Sequence, residues 1–160
     1  MRIVSLLPAA TEICYALELG GDLVGVSPEC DYPAAAASLP VVSRILLDPE
    51  GKSSAETSQA VGETLAHGDP LYRIEDAALR EAAPDVILTQ GLCEVCAPSV
   101  EDVRTVAKRL PKRPLIVSLD PHRLRDMLDD IQRVGKACAA EGAAKSLVEN
   151  LGERIERIAF

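Results

Sequence analysis

The sequence predicts an α/β protein: a Rossmann-like parallel sheet with helices on both faces, ending in a long C-terminal helix. Three observations predict it. Short apolar runs alternate with stretches of helical spacing, and strands buried on both faces read as such runs. Three of the runs lead straight into loops of reactive side chains. Residues 23–27 lead into Pro28, Glu29, Cys30, Asp31, Tyr32 and Pro33; residues 86–90 into Gly91, Leu92, Cys93, Glu94, Val95 and Cys96; residues 115–119 into Asp120, Pro121 and His122. Finally, residues 143–158 keep helical spacing with no strand after them. Parallel strands would open all three loops on one sheet edge, where open α/β sheets bind ligands.

The elements follow in order. The first strand is expected over 2–6, then a helix over 9–19 with Pro8 in its first turn and Gly20-Gly21 at its end. The second strand is 23–27, and a short extended piece covers 40–43 with Arg44 at its end. Ser53 or Ser54 can cap a helix over 55–66, and residues 67–70 read as a turn. A helix over 74–83 stops before Pro84, and residues 85–90 form a buried strand. Ser99 and Asp102 suit a capping box for a helix over 100–110. A strand over 114–119 precedes a helix capped by Asp120 with Pro121 first. Leu124, Leu128, Ile131 and Val134 mark its apolar face, and a break is expected near 139–142.

Composition narrows the function. A chain of 160 residues, 48% hydrophobic, can bury a real core. A net charge of −8 disfavours nucleic acid, which needs a basic face. The only aromatic residues are Tyr15, Tyr32, Tyr72 and Phe160, too few for base-stacking platforms. No apolar run reaches membrane-span length. No signal peptide opens the chain, so as written it reads as cytoplasmic. Five cysteines are an odd number and form no dense disulfide framework.

Cys93 and Cys96 are the sharpest local motif. Two thiols at this spacing can chelate a soft metal or form a redox disulfide. They can equally be packed thiols that shape a loop. Cys30 and His122 stand at two other strand ends, and together with the pair they would suit zinc. Asp31, Tyr32 and Pro33 can orient a polar ligand, and Arg44 can meet an anionic one. Catalysis finds no support: there is no nucleophile elbow and no Walker loop. The turn after the first strand, Leu7-Pro8-Ala9-Ala10-Thr11, lacks the glycines a dinucleotide pyrophosphate needs.

The opening Arg2-Ile3-Val4-Ser5-Leu6-Leu7-Pro8-Ala9-Ala10-Thr11-Glu12 resembles the start of cobalamin- and siderophore-type substrate-binding proteins of ABC importers. So do Leu23-Val24-Gly25-Val26-Ser27 with Asp31-Tyr32-Pro33, and Pro84-Asp85-Val86-Ile87-Leu88. The vitamin B12-binding branch is the nearest in kind. The resemblance implies two Rossmann-like lobes joined by a long helix, with the ligand between them. Residues 1–140 would be the N-terminal lobe and 141–160 the start of the connecting helix, the second lobe being absent. The cleft wall would hold Pro8, Thr11, Ser27, Pro28, Asp31, Tyr32, Arg44, Gly91, Leu92 and Cys93. Glu101 would dock on the membrane permease. The implied function is a solute-binding lobe for a cobalamin-like or other metal-chelate ligand, outside the cytoplasmic membrane. The alternative is a metal-binding or thiol redox module built on Cys93 and Cys96. An exposed C-terminal helix face (Leu147, Leu151, Ile155, Ile158) would favour a homodimer.

Overall fold

The computed structural model describes residues 1–47, 51–91 and 97–159. The elements in chain order are β1 (Ile3–Ser5), α1 (Pro8–Ala16), β2 (Leu23–Val26), β3 (Ser43–Ile45), α2 (Ser54–Ala66), β4 (Tyr72–Ile74), α3 (Asp76–Ala82), β5 (Val86–Thr89), α4 (Val100–Ala107), β6 (Leu115–Ser118), α5 (Leu124–Ala137) and α6 (Glu141–Ala159). β2, β1, β5 and β6 lie side by side in that order, and every neighbouring pair is parallel. The expected fold class is therefore observed.

Side-chain alternation along each strand divides the core between two faces. Ile3, Val86 and Leu88 pack with Ala10 and Cys14 of α1, Ile131 and Val134 of α5, and Ala144 of α6. Val4, Leu6 and Ile87 point the other way, against Leu79 and Ala82 of α3 and Val103 and Ala107 of α4. Full burial of a side chain such as Leu79 or Ile87 contributes about 1.5–3 kcal/mol each. With both faces of β1 and β5 dry, polar groups can emerge from these strands only at their ends.

β3 and β4 form a separate antiparallel hairpin. The chain reaches it alongside β2, with Val41 bridged parallel to Val26. β3 therefore stands beyond the carboxyl end of β2 by about 7–13 Å at strand rise. The excursion between β3 and β4 is closed at its base by Leu46 N–H donating to Leu71 O at 2.8 Å. It carries α2, whose start is fixed by a capping box between Ser53 and Glu56. No residue of α2 is buried.

Several element boundaries differ from the sequence expectation. α1 ends at Ala16, and Glu18 turns the chain with φ of 62°, ahead of Gly20-Gly21. The extended piece expected at 40–43 pairs as a strand from Ser43 to Ile45. The helix expected over 74–83 begins at Asp76, and Ile74 closes strand β4 instead. α5 begins at Leu124, and Asp120 does not cap it. Asp126 takes that role, accepting from the N–H groups of His122 and Arg123 at 2.9 and 2.8 Å. The break before the last helix falls at Cys138–Ala140, with Ala139 at φ 55°.

α5 and α6 pack closely because Gly135 has no side chain. A Cβ there would stand 2.4 Å from the Ala144 Cβ. By contrast, a Cβ at Gly152 in α6 meets nothing within 4 Å. Gly135→Ala should destabilise by about 1–3 kcal/mol through overpacking. Gly152→Ala should stabilise by about 0.4–1 kcal/mol by restricting the unfolded chain. Thermal melts of the two variants should therefore shift in opposite directions.

Candidate functional site

The strand register sets the carboxyl ends level. Ser5 lies opposite both Val26 and Leu88, and Leu88 lies opposite Val117. The loops after β2, β5 and β6 leave the sheet at one edge, as the sequence implied. The β3–β4 hairpin rises beside the β2 loop.

A buried polar knot holds the β2 loop down. Ser5 Oγ donates to Leu7 O at 3.0 Å, and Thr11 Oγ1 donates to Ser5 Oγ at 2.8 Å. Cys30 Sγ lies 3.1 Å from Thr11 Oγ1 and 3.3 Å from Ser27 Oγ, within hydrogen-bonding reach of both. Ser27 N–H donates to Ser5 O at 3.0 Å, and Cys30 N–H to Ser27 O at 3.1 Å. Thr11, Ser27 and Cys30 are 0%, 1% and 2% exposed. The expected wall therefore changes in kind: Thr11 and Ser27 are supports beneath it and offer no side chain to solvent.

The other expected wall residues sit above these supports. Pro8 is half-buried at the first position of α1. Pro28 and Asp31 are exposed, and Tyr32 is 67% exposed. Arg44 is exposed on β3 but is not free, because its Nε lies 2.6 Å from Glu75 Oε1. Gly91 is exposed at the end of β5, and its N–H donates to Asp120 Oδ1. Leu92, Cys93 and Cys96 lie outside the described residues. Glu101 is exposed in the first turn of α4, 3.6 Å from Arg104.

Cys30 and His122 do not come together. They follow β2 and β6, the opposite edge strands of the sheet, about 14 Å apart at the usual strand spacing. Cys30 is in the core, and His122 is exposed. Among the described residues, no three His, Cys, Asp or Glu side chains form a metal-holding group. Cys14 and Cys138 are also core residues, and burial pushes their thiols up to about 12 and about 11. Thiols so protonated are inert as nucleophiles.

Two features escaped the sequence reading. The first is Asp120, which ties the ends of β5 and β6: one oxygen takes the Gly91 N–H, and the other takes the Ser118 hydroxyl at 2.8 Å. The Asp-Pro pair suggested a cap, and nothing local signals a partner in another loop. The second is an apolar groove of about 350 Å³ between α1 and α5, floored by Leu7, Ile13, Leu119, Met127 and Ile131. Asp130 lies at its margin, buried. It accepts from Arg133 Nη1 at 2.7 Å, and Arg133 Nη2 donates to Ser118 O at 2.6 Å. Burial holds the Asp130 carboxyl above the usual carboxylate range, and the Arg133 guanidinium only partly opposes it.

No family model matches the chain. The α/β fold of the chain is shared with solved periplasmic solute-binding proteins. One protein with this architecture is from Staphylococcus epidermidis, described as a possible iron-binding, periplasmic solute-binding protein. The chain matches it over 98% of its own length, with 25% identity and a TM-score of 0.67, and covers 49% of that protein. The periplasmic vitamin B12-binding protein of Vibrio cholerae shares the fold at 24% identity, with a TM-score of 0.66 and 48% of that chain covered. The vitamin B12-binding protein of Vibrio vulnificus is 55% identical over 42 residues, 26% of this chain and 15% of that protein. The chain thus resembles the vitamin B12-binding branch and spans about half the length of the solved proteins it matches. These relatives are binding proteins, not enzymes.

Asp120→Ala should remove the tie between Gly91 and Ser118 and cost about 0.5–1.5 kcal/mol. Amide exchange should then quicken at Gly91 while the β1 amides stay protected. Asp130 makes a pH prediction. Its folded-state pKa is raised, so between the ordinary carboxylate value and its own the folded protein holds a proton that the unfolded chain has lost. Its contribution to stability therefore declines as pH rises through that window. Asp130→Asn should abolish that part of the pH dependence in urea titrations.

Proposed function

We propose that this chain is a solute-binding lobe of an ABC-importer receptor, with a cobalamin-like or other metal-chelate ligand. The observation that carries the reading is the match of the whole chain to about half of each solute-binding relative, with the polar loops on one edge. The local identity with vitamin B12-binding proteins favours the corrinoid among the chelates. In this reading residues 1–140 are the lobe, and the helix from 141 onward leads to an opposite wall. Pro8, Pro28, Asp31, Tyr32, Arg44 and Gly91 face the ligand, together with Leu92 and Cys93. Glu101, exposed on α4, docks on the membrane permease, and the receptor works outside the cytoplasmic membrane.

The helix α6 fits this role. Leu147, Val148 and Leu151 pack on the first core face. Beyond them Ile155 is half-buried and Ile158 is 86% exposed. A second lobe would meet this last part of the apolar stripe. A homodimer would have only the same short stretch to use, far less than a stable interface buries.

One wall buries little of a ligand, and burial of most of its surface normally gives affinity. Calorimetry with cyanocobalamin should therefore find binding weaker than micromolar for the chain alone. Micromolar or tighter binding by a monomer would overturn the one-wall account. No heat at any concentration, with haem and a ferric siderophore equally silent, would overturn the receptor reading.

A further inference from the structure

Glu29 is the unexplained group on the carboxyl edge. Both of its carboxylate oxygens are shielded from water, and neither has a hydrogen-bond partner. Ser43 Oγ and Thr89 Oγ1 also lack a hydrogen-bond partner, but they are neutral hydroxyls, and the shielded Glu75 Oε1 has Arg44 Nε 2.6 Å away as an ion pair. An ionised carboxylate is far more costly to leave unpaired. A fold keeps such a group where something other than its own chain pairs with it.

The backbone around Glu29 is fixed. Cys30, next in sequence, is held by Thr11 and Ser27 through its thiol and by Ser27 O through its N–H. Asp31 N–H donates to Glu29 O at 3.0 Å. The freedom left is in the Glu29 side chain, whose residue is only half-buried. A rotation of that side chain would bring its carboxylate out between exposed Pro28 and Asp31. Arg44, the expected anion contact, is committed to Glu75. His122 and Arg123 follow β6 on the opposite edge strand, about 14 Å away at strand spacing.

We propose that Glu29 is a specificity-determining residue that accepts hydrogen bonds from amide or ammonium N–H groups of the bound solute. The proposal rests on the receptor reading and deepens it by naming the residue that discriminates between ligands. With Asp31 beside it, Glu29 makes this end of the wall negative. A solute presenting carboxylates there, such as the propionates of haem, is repelled. A solute ringed by carboxamides, such as a corrinoid, supplies the missing donors. Hydrogen bonds to a charged acceptor are the strong ones, so this contact discriminates well.

The test uses cyanocobalamin and haem as probes, titrated into the wild type, Glu29→Gln and Glu29→Ala, with thermal melts of each without ligand. The wild type should bind cyanocobalamin at least tenfold more tightly than haem. Glu29→Gln and Glu29→Ala should each lose about tenfold for cyanocobalamin and should narrow the gap to haem. Glu29→Gln should also melt higher than the wild type, because the unpaired charge is gone. Unchanged cyanocobalamin affinity in both variants would overturn the role of Glu29 alone. A lower melting temperature for Glu29→Gln would overturn it too, by showing a structural task for the charge. Failure of the wild type to bind either probe would overturn the receptor reading and, with it, Glu29 as a ligand contact.

Discussion

The rest of the structure depends on the burial of both faces of one parallel sheet. α1, α5 and α6 cover one face, and α3 and α4 cover the other. The central strands β1 and β5 must then be apolar along their length, and polar residues are pushed to their ends. Because all four strands run the same way, their carboxyl ends gather at one edge. Register makes that edge level, with Ser5, Val26, Leu88 and Val117 abreast. The candidate site is therefore a consequence of the core and not an addition to it.

The edge is then made firm by polar links between its elements. The Ser5, Thr11, Ser27 and Cys30 knot joins β1, α1 and the β2 loop under the surface. Asp120 joins the ends of β5 and β6. Arg133 joins α5 to the end of β6 through the Ser118 carbonyl. Each link crosses between elements, so each limits how far one loop can move relative to another. Preorganisation of this kind lowers the cost of ordering a wall when a ligand arrives. Against this background the unpartnered carboxylate of Glu29 stands out.

Much of the fold was legible because its signals are local. The apolar run 86–88 reads as a buried strand, and the pattern of Leu128, Ile131 and Val134 reads as a helix face. The β3–β4 hairpin was not legible. Each strand has three residues, and their pairing spans the whole α2 excursion, so neither carries a period of its own. The site was legible in outline only. The resemblance assigned Asp31, Tyr32 and Gly91 to a cleft wall, and they lie exposed in the segments after β2 and β5. It also placed Thr11 and Ser27 on the wall, yet their hydroxyls are consumed by partners distant in sequence. Asp120 is similar: its bond to Gly91 joins residues 29 apart, and no spacing rule announces that. Contacts between loops depend on tertiary packing, which a single sequence does not print.

The central claim is that the carboxyl edge is a ligand wall. Amide chemical-shift mapping with cyanocobalamin tests it most directly, since it locates contact without requiring tight binding. The account predicts that the largest shifts fall on Glu29, Asp31, Tyr32, Arg44 and Gly91, with the outer faces of α3 and α4 silent. Shifts centred on the outer helix faces, with the three edge loops unmoved, would contradict it.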